Sequence, residues 1–278
     1  MDVKILVACH KPCEVYHDDV YTPIHVGRSI SKYKNEMKDF IGDDTGDNIS
    51  TKNPSYCELT AQYWAWKNLQ DVDYIGFCHY RRYFKTRITS QNIVKELEGC
   101  DMIVAQRVIM PKSIRDWLCC SIVAEDVYIL YNILLKHNLD SKDVIDNFFS
   151  HRNYVYPCNM FICKKKLFDD FAKWQFDILN DVESLVIPSG YTRLKRVFGY
   201  MAEALLNLFI EIKGLKIKEM PLVNMVGDTT PIMSSTPLQK LKSYVRFFTQ
   251  PHCLNWDYAL IAGLKADGIY NKIKNENE

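Results

Sequence analysis

Two adjacent arginines, Arg81 and Arg82, close the stretch DYIGFCHYRRYF and follow His79 and Tyr80 directly. A guanidinium is a planar fork of N–H donors that matches phosphate oxygens, so such a pair is suited to a multiply charged anion. The ordinary alternative is an arginine pair on a solvated loop. His10 and Lys11 follow the first apolar run, and Asn159 stands as a polar residue inside YVYPCNMFIC. A turn or bulge residue bonding its own backbone would also account for Asn159. Asp43, Asp44 and Asp47 in GDDTGDNISTKN could chelate a hard cation, but calcium-loop spacing and its closing Glu are missing. Turn chemistry explains Asp and Gly there equally well. Glu203 interrupts the apolar residues 202–210. A carboxylate on a buried helix needs a partner. Arg193 and Arg196 would make it a structural ion pair; a cleft would make it a base.

These residues need elements to hold them. Residues 4–8 (KILVA) read as a first buried strand, stopped by Pro12. Residues 74–78 read as a second, with the polar HYRR at its carboxyl end, where open α/β sheets bind ligands. Between them, Ser55 and Glu58 fit a capping box, and Tyr56, Leu59, Tyr63, Trp66 and Leu69 recur at helical spacing. That reading leaves Thr60, Trp64 and Lys67 on other faces, free to line a site. Residues 90–98 look helical, and 101–105 (DMIVA) form a short strand followed by Gln106 and Arg107. Residues 123–137 form an amphipathic helix. Pro157 puts residues 154–163 near an edge or bulge. Helices are expected over 165–179 and 191–211, with Gly214 as the stop and a last strand over 215–223. After a turn at Thr229-Thr230-Pro231, residues 238–248 mix Lys240, Lys242 and Arg246 with Leu241, Tyr244, Val245, Phe247 and Phe248. A basic helix with aromatics either lies on an anionic membrane face or packs back on the domain. The last residues, NKIKNENE, read as disordered. A domain of residues 1–230 with a 231–278 extension follows from this pattern.

The chain has 278 residues, a net charge of +1, 47% hydrophobic residues and 17 tyrosines. That charge advertises no nucleic-acid partner. The ten cysteines form no CxxC pair and no zinc spacing, and several sit in apolar runs as small hydrophobes. A reducing, cytoplasmic setting is expected, with no signal peptide and no membrane span. GxGxxG after the first strand, GxxxxGKS, GxSxG and HExxH are all missing, as is an Asp-x-Asp near the end of a central strand.

The blocks IGDDTGDNIS, YCELTAQYWAWKN, DYIGFCHYRRYF, YPCNMFICKK and FGYMAEALLN resemble a bacterial family from capsule, exopolysaccharide and O-antigen loci, over roughly residues 3–227. Its members are described as polysaccharide biosynthesis glycosyltransferases, some similar to β-galactofuranosyltransferases. The family pattern often places Arg after the Glu of the late helix; Ala204 stands there in this chain. The resemblance implies a GT-A-like α/β fold, with a central mostly parallel sheet flanked by helices, plus a helical C-terminal tail. It implies a UDP-sugar donor, with UDP-galactofuranose favoured. Arg81 and Arg82 would then replace the metal at the leaving diphosphate, so no cofactor is expected. Glu203 would be the base of an inverting transfer, with Asp44 the runner-up. His10, Lys11, Asp44, Asn48, His79, Tyr80 and Asn159 would contact the donor, and Trp64 and Tyr200 the acceptor, a glycan that is plausibly lipid-linked. The alternatives are a metal-dependent retaining enzyme using Asp43, Asp44 or Asp47, and a non-catalytic scaffold docked at the inner membrane face.

Overall fold

A computed structural model of the chain describes residues 1–224, 231–232, 235–251 and 254–274. The turn read at Thr229-Thr230 and the final residues 275–278 lie outside the described residues. The chain divides into two compact units, one of residues 1–108, 156–173 and 213–234, the other of residues 109–155, 174–212 and 235–278.

The first unit is built on a seven-stranded sheet. Its strands are β1 (Val3–Cys9), β2 (Tyr21–His25), β3 (Ile41–Gly42), β4 (Tyr74–His79), β6 (Met102–Ala105), β7 (Phe161–Lys164) and β8 (Ile217–Met220). The spatial order is β8-β6-β7-β4-β1-β2-β3. All neighbours run parallel except β7, which is antiparallel to both β4 and β6. The apolar runs of β1, β4 and β6 have no polar alternation because residues on both their faces are buried. β7 is therefore a central strand and not the edge that Pro157 suggested: the proline sits in the turn before it. Gly76 lets β4 and β7 approach, because a Cβ there would lie 2.7 Å from Ile162 Cγ1. Two short strands, β5 (Tyr83–Phe84) and β9 (Leu222–Val223), pair antiparallel beside this sheet.

Helices α1 (Asn53–Tyr56), α2 (Leu59–Asn68) and α3 (Ile93–Glu96) belong to the first unit. The single capped helix expected over 55–69 is broken at Cys57, whose φ is 54°. Ser55 Oγ bonds the Lys52 carbonyl and does not cap the helix. The break resets the helical phase. Leu59, Thr60, Ala61, Gln62, Trp64 and Ala65 are buried, while Tyr63 and Trp66 are half-buried.

The second unit is helical. It contains α4 (Ile114–Ser121), α5 (Ala124–His137), α6 (Lys142–His151), most of α7 (Lys165–Glu183), α8 (Thr192–Lys195), α9 (Val197–Ile212), α10 (Pro237–Phe248), α11 (Tyr258–Ala266) and α12 (Tyr270–Ile273). Val127, Ile129, Leu130, Ile133 and Leu134 of α5 are all buried, as their spacing predicts. Arg152 is the polar centre of this unit. Its guanidinium donates to Glu211 Oε1 at 2.5 Å, Asn207 Oδ1 at 2.9 Å and the Tyr154 carbonyl at 3.1 Å. Among the described residues no helix is long and apolar enough to cross a membrane.

Candidate active site

β1 leads to β2 on one side, while β4 lies on its other side. The carboxyl ends of β1 and β4 are thus the point where strand order reverses, the usual ligand crevice of an open α/β sheet. The register pairs Ala8 with His79, so the residues that follow each strand meet there. The His10 and Tyr80 rings contact edge-on at 5.4 Å. Tyr80 and Arg81 form a two-residue turn closed by His79 N–H to the Arg82 carbonyl (3.2 Å) and Arg82 N–H to the His79 carbonyl (3.0 Å). Buried Tyr83 and Phe84 anchor the turn in the core, and the Tyr83 hydroxyl accepts from the Tyr16 N–H.

The turn is cationic. Arg81 is exposed and stacks 4.8 Å from the Tyr80 ring centroid. Arg82 is half-buried, with Nη1 3.5 Å from Cys158 Sγ. Among the described residues neither arginine pairs with a carboxylate. The Cys13 thiol feels two of the charges: burial pushes its pKa up, while a hydrogen bond with Cys9 and the charges of Lys11 and Arg81 pull against that rise. Arg107, at the end of β6, is different, because its guanidinium is already paired with Glu219.

His79 holds the turn to a second segment, its Nε2 lying 2.8 Å from the Cys158 carbonyl. Cys158 and Asn159 are both left-handed, with φ of 73° and 51°. Asn159 reaches a distant segment of the chain. Its Nδ2 donates to Glu58 Oε1 at 2.7 Å, and its carbonyl accepts from Gln62 Nε2 at 3.3 Å. Glu58 is thus bonded to a residue 101 positions away, not to a helix N-terminus. Cys57, Cys158 and Asn159 are the non-glycine residues with positive φ among the described residues. Backbone strain of about 1 to 3 kcal/mol per residue survives only where its surroundings enforce it, and it gathers at functional sites. Here all three strained residues surround the Glu58–Asn159 bond. Sequence reasoning assigned Glu58 to capping, and no local signal pointed to a partner 101 positions away.

The remaining first-unit candidates gather on one loop at the carboxyl end of β3. Asp43 is fully buried and accepts from the Gly27 N–H (2.7 Å), the Arg28 N–H (3.0 Å) and the Ser50 hydroxyl. Asp44 pairs with Arg28 at 3.7 Å, and Asp47 accepts from the Tyr63 hydroxyl at 3.1 Å. Asn48 bonds within the loop, to the Gly46 carbonyl and the Ser50 N–H. Trp64 is buried and donates its indole N–H to Thr45 Oγ1 at 2.8 Å. His25, at the end of β2, is fully buried with neither ring nitrogen partnered. Burial holds its pKa below the ordinary value, against the pull of Asp43. Among the described residues no group of three or more His, Cys, Asp or Glu is placed to hold a metal ion.

Glu203 and Tyr200 belong to the second unit, on α9, and both are half-buried. Arg196 lies 5.7 Å from the Tyr200 ring centroid. Arg193, expected as a partner for Glu203, donates to the Cys120 and Ser121 carbonyls. A separate cavity of about 740 Å³, lined by Tyr74, Lys95, Asp101 and Lys164 among others, lies at the amino-terminal ends of β4 and β6, opposite the cationic turn.

Residues 4–214 match the model of a family described as a domain of unknown function, DUF4422. Among solved structures, the apo structure of the bifunctional glycosyltransferase WbbM is similar, with a TM-score of 0.74 and 30% identity over 85% of this chain and 48% of that one. The chain thus spans about half the length of that protein, and the two share a fold. No curated protein matches the sequence.

Proposed function

This chain belongs to the DUF4422 family, and we propose that it is a glycosyltransferase moving a sugar from a UDP-sugar to a growing polysaccharide. The observation that carries this reading is the cationic turn at the switch point, whose two arginines have no carboxylate partner among the described residues. The similarity to the WbbM structure supports it. The family resemblance of the HYRRYF and ELTAQYWAWKN blocks favours UDP-galactofuranose as donor and a capsule, exopolysaccharide or O-antigen glycan as acceptor. The reaction would take place in the cytoplasm.

The two ends of the site lie three strand spacings apart, with β1 and β2 between them. At about 4.8 Å per neighbouring pair, the β3 loop and the β4 turn are roughly 14 Å apart along the edge. An extended nucleoside diphosphate fits that span. In this pose Asp44 and Asn48 meet the nucleoside, with His10 and Lys11 beside it. Arg81 and Arg82 hold the diphosphate, flanked by His79 and Tyr80. Asn159 meets the transferred sugar, held in its strained conformation by Glu58.

The acceptor hydroxyl oxygen attacks the anomeric carbon from the face opposite the nucleotide. The bond from that carbon to the diphosphate oxygen breaks, and its electron pair leaves with UDP. A general base takes the hydroxyl proton, and the configuration inverts; Glu203 is the sequence's candidate for that base. The charge developing on the leaving diphosphate is met by preorganised guanidinium donors, so the transfer needs no metal. The engagement of Asp43, Asp44 and Asp47 by other protein groups supports the metal-free form. A panel of UDP-sugars, each assayed with and without EDTA, tests the proposal. Turnover with UDP-galactofuranose that is indifferent to EDTA is expected. Loss of turnover in EDTA, restored by Mg²⁺ or Mn²⁺, would overturn the metal-free mechanism. Absence of saturable UDP binding would overturn the enzyme reading itself.

A further inference from the structure

We propose that α10 docks this protein on the surface of an anionic bilayer. The helix is set by local chemistry and does not wait for a partner. Pro237 occupies its first turn, and Thr236 and Gln239 form a complete capping box. At about 100° per residue, Leu238, Leu241, Tyr244, Val245 and Phe248 fall within one arc of about 120°. Leu238, Leu241, Val245 and Phe248 are 60%, 59%, 56% and 74% exposed, and Tyr244 is exposed beside them. Phe247, outside that arc, is buried, so the helix turns that side inward. The apolar stripe is thus left outward by a helix already anchored through its other side.

Charge decides what covers the stripe. Lys242 and Arg246 border it on one side and Lys240 on the other, and the helix has no acidic residue. A second copy laid on the same stripe would set these cations against their own equivalents. Anionic headgroups would neutralise them, while the long Lys and Arg stems run beside the apolar side chains toward the headgroup level. With no membrane-crossing helix among the described residues, α10 would lie in the plane of the surface. This inference does not depend on the transferase reading, and its test has no activity readout.

Flotation of the full chain with phosphatidylcholine vesicles, with and without phosphatidylglycerol, reads the partition directly. Strong binding only to the anionic vesicles is expected. Lys240→Gln, Lys242→Gln and Arg246→Gln should each lower it about fivefold, the value of one charge near an anionic surface. The double variant Leu241→Ser/Phe248→Ser should abolish it with an unchanged unfolding midpoint, since both side chains are exposed. In an otherwise unaltered chain, Phe248→Trp fluorescence should be quenched by brominated lipids. A chain that ignores anionic vesicles, an unquenched Trp, or binding that survives the double variant overturns the proposal. So does a dimer that disappears in the double variant while no vesicle binding is seen.

Discussion

Arg152 and the Arg81–Arg82 pair are the same chemistry in opposite surroundings. Arg152 is buried, and its fork is spent on Glu211, Asn207 and Tyr154 within the helical unit. Arg81 and Arg82 sit on a two-residue turn over the sheet edge, and no carboxylate meets either among the described residues. A saturated guanidinium holds architecture together. One with donors to spare is set up for an anion that the chain itself does not supply. Arg107, paired with Glu219, shows that a place at a strand's carboxyl end is not enough to make an arginine available.

The comparison can be broken by exchanging which property each site loses. Arg152→Ala strands the half-buried Glu211 carboxylate, whose pKa burial already raises, and should cost about 3 to 5 kcal/mol of stability in denaturant unfolding. Arg81→Ala or Arg82→Ala should leave stability nearly unchanged but lower UDP affinity roughly tenfold to a hundredfold by calorimetry, the loss of a charge-assisted contact of about 1.5 to 3 kcal/mol. If the turn variants unfold the protein and the Arg152 variant does not, the two roles are reversed.

A smaller effect sharpens the boundary of the cationic site. Glu58→Gln keeps a side-chain oxygen for Asn159 Nδ2 and should leave the unfolding midpoint in place. It should lower the transfer rate about tenfold or less, with the donor KM moving less than the rate, as expected of a positioning residue. A drop in the midpoint as large as the Arg152 variant's would make the pair architectural.

A further effect separates the helical unit by pH. Burial, with Glu125 adding, pushes the Asp126 carboxyl up to about 7 from its ordinary value of 3.8. The folded state therefore holds a proton that the unfolded state has released, and stability falls as pH rises between those two values. Asp126→Asn should remove that fall, raising the unfolding midpoint at pH 8 and changing little at pH 4. An equal effect at both would mean that Asp126 is not protonated in the fold.

The parts legible in the sequence were those fixed over short range. The unbroken apolar runs of β1, β4 and β6 announced strands buried on both faces, and HYRR at the end of β4 announced a cationic carboxyl end. The misreadings have one cause. Residues 55–69 scanned as a single capped helix, but the left-handed Cys57 shifted its phase, so Trp64 turned inward and Glu58 was released from the cap. Pro157 suggested an edge, yet the strand after it inserts antiparallel between β4 and β6.

What the sequence by itself determined is the type of the longest apolar runs and helices and the charge waiting at the end of β4, because alternation, capping and apolar runs act between near neighbours. Which arginines stay available was decided only by the tertiary structure. So was the bond between Glu58 and Asn159, a hundred residues apart in the chain. Hydrogen-bond partners and burial come from strand order and crossing, and these bring together residues that share no local pattern.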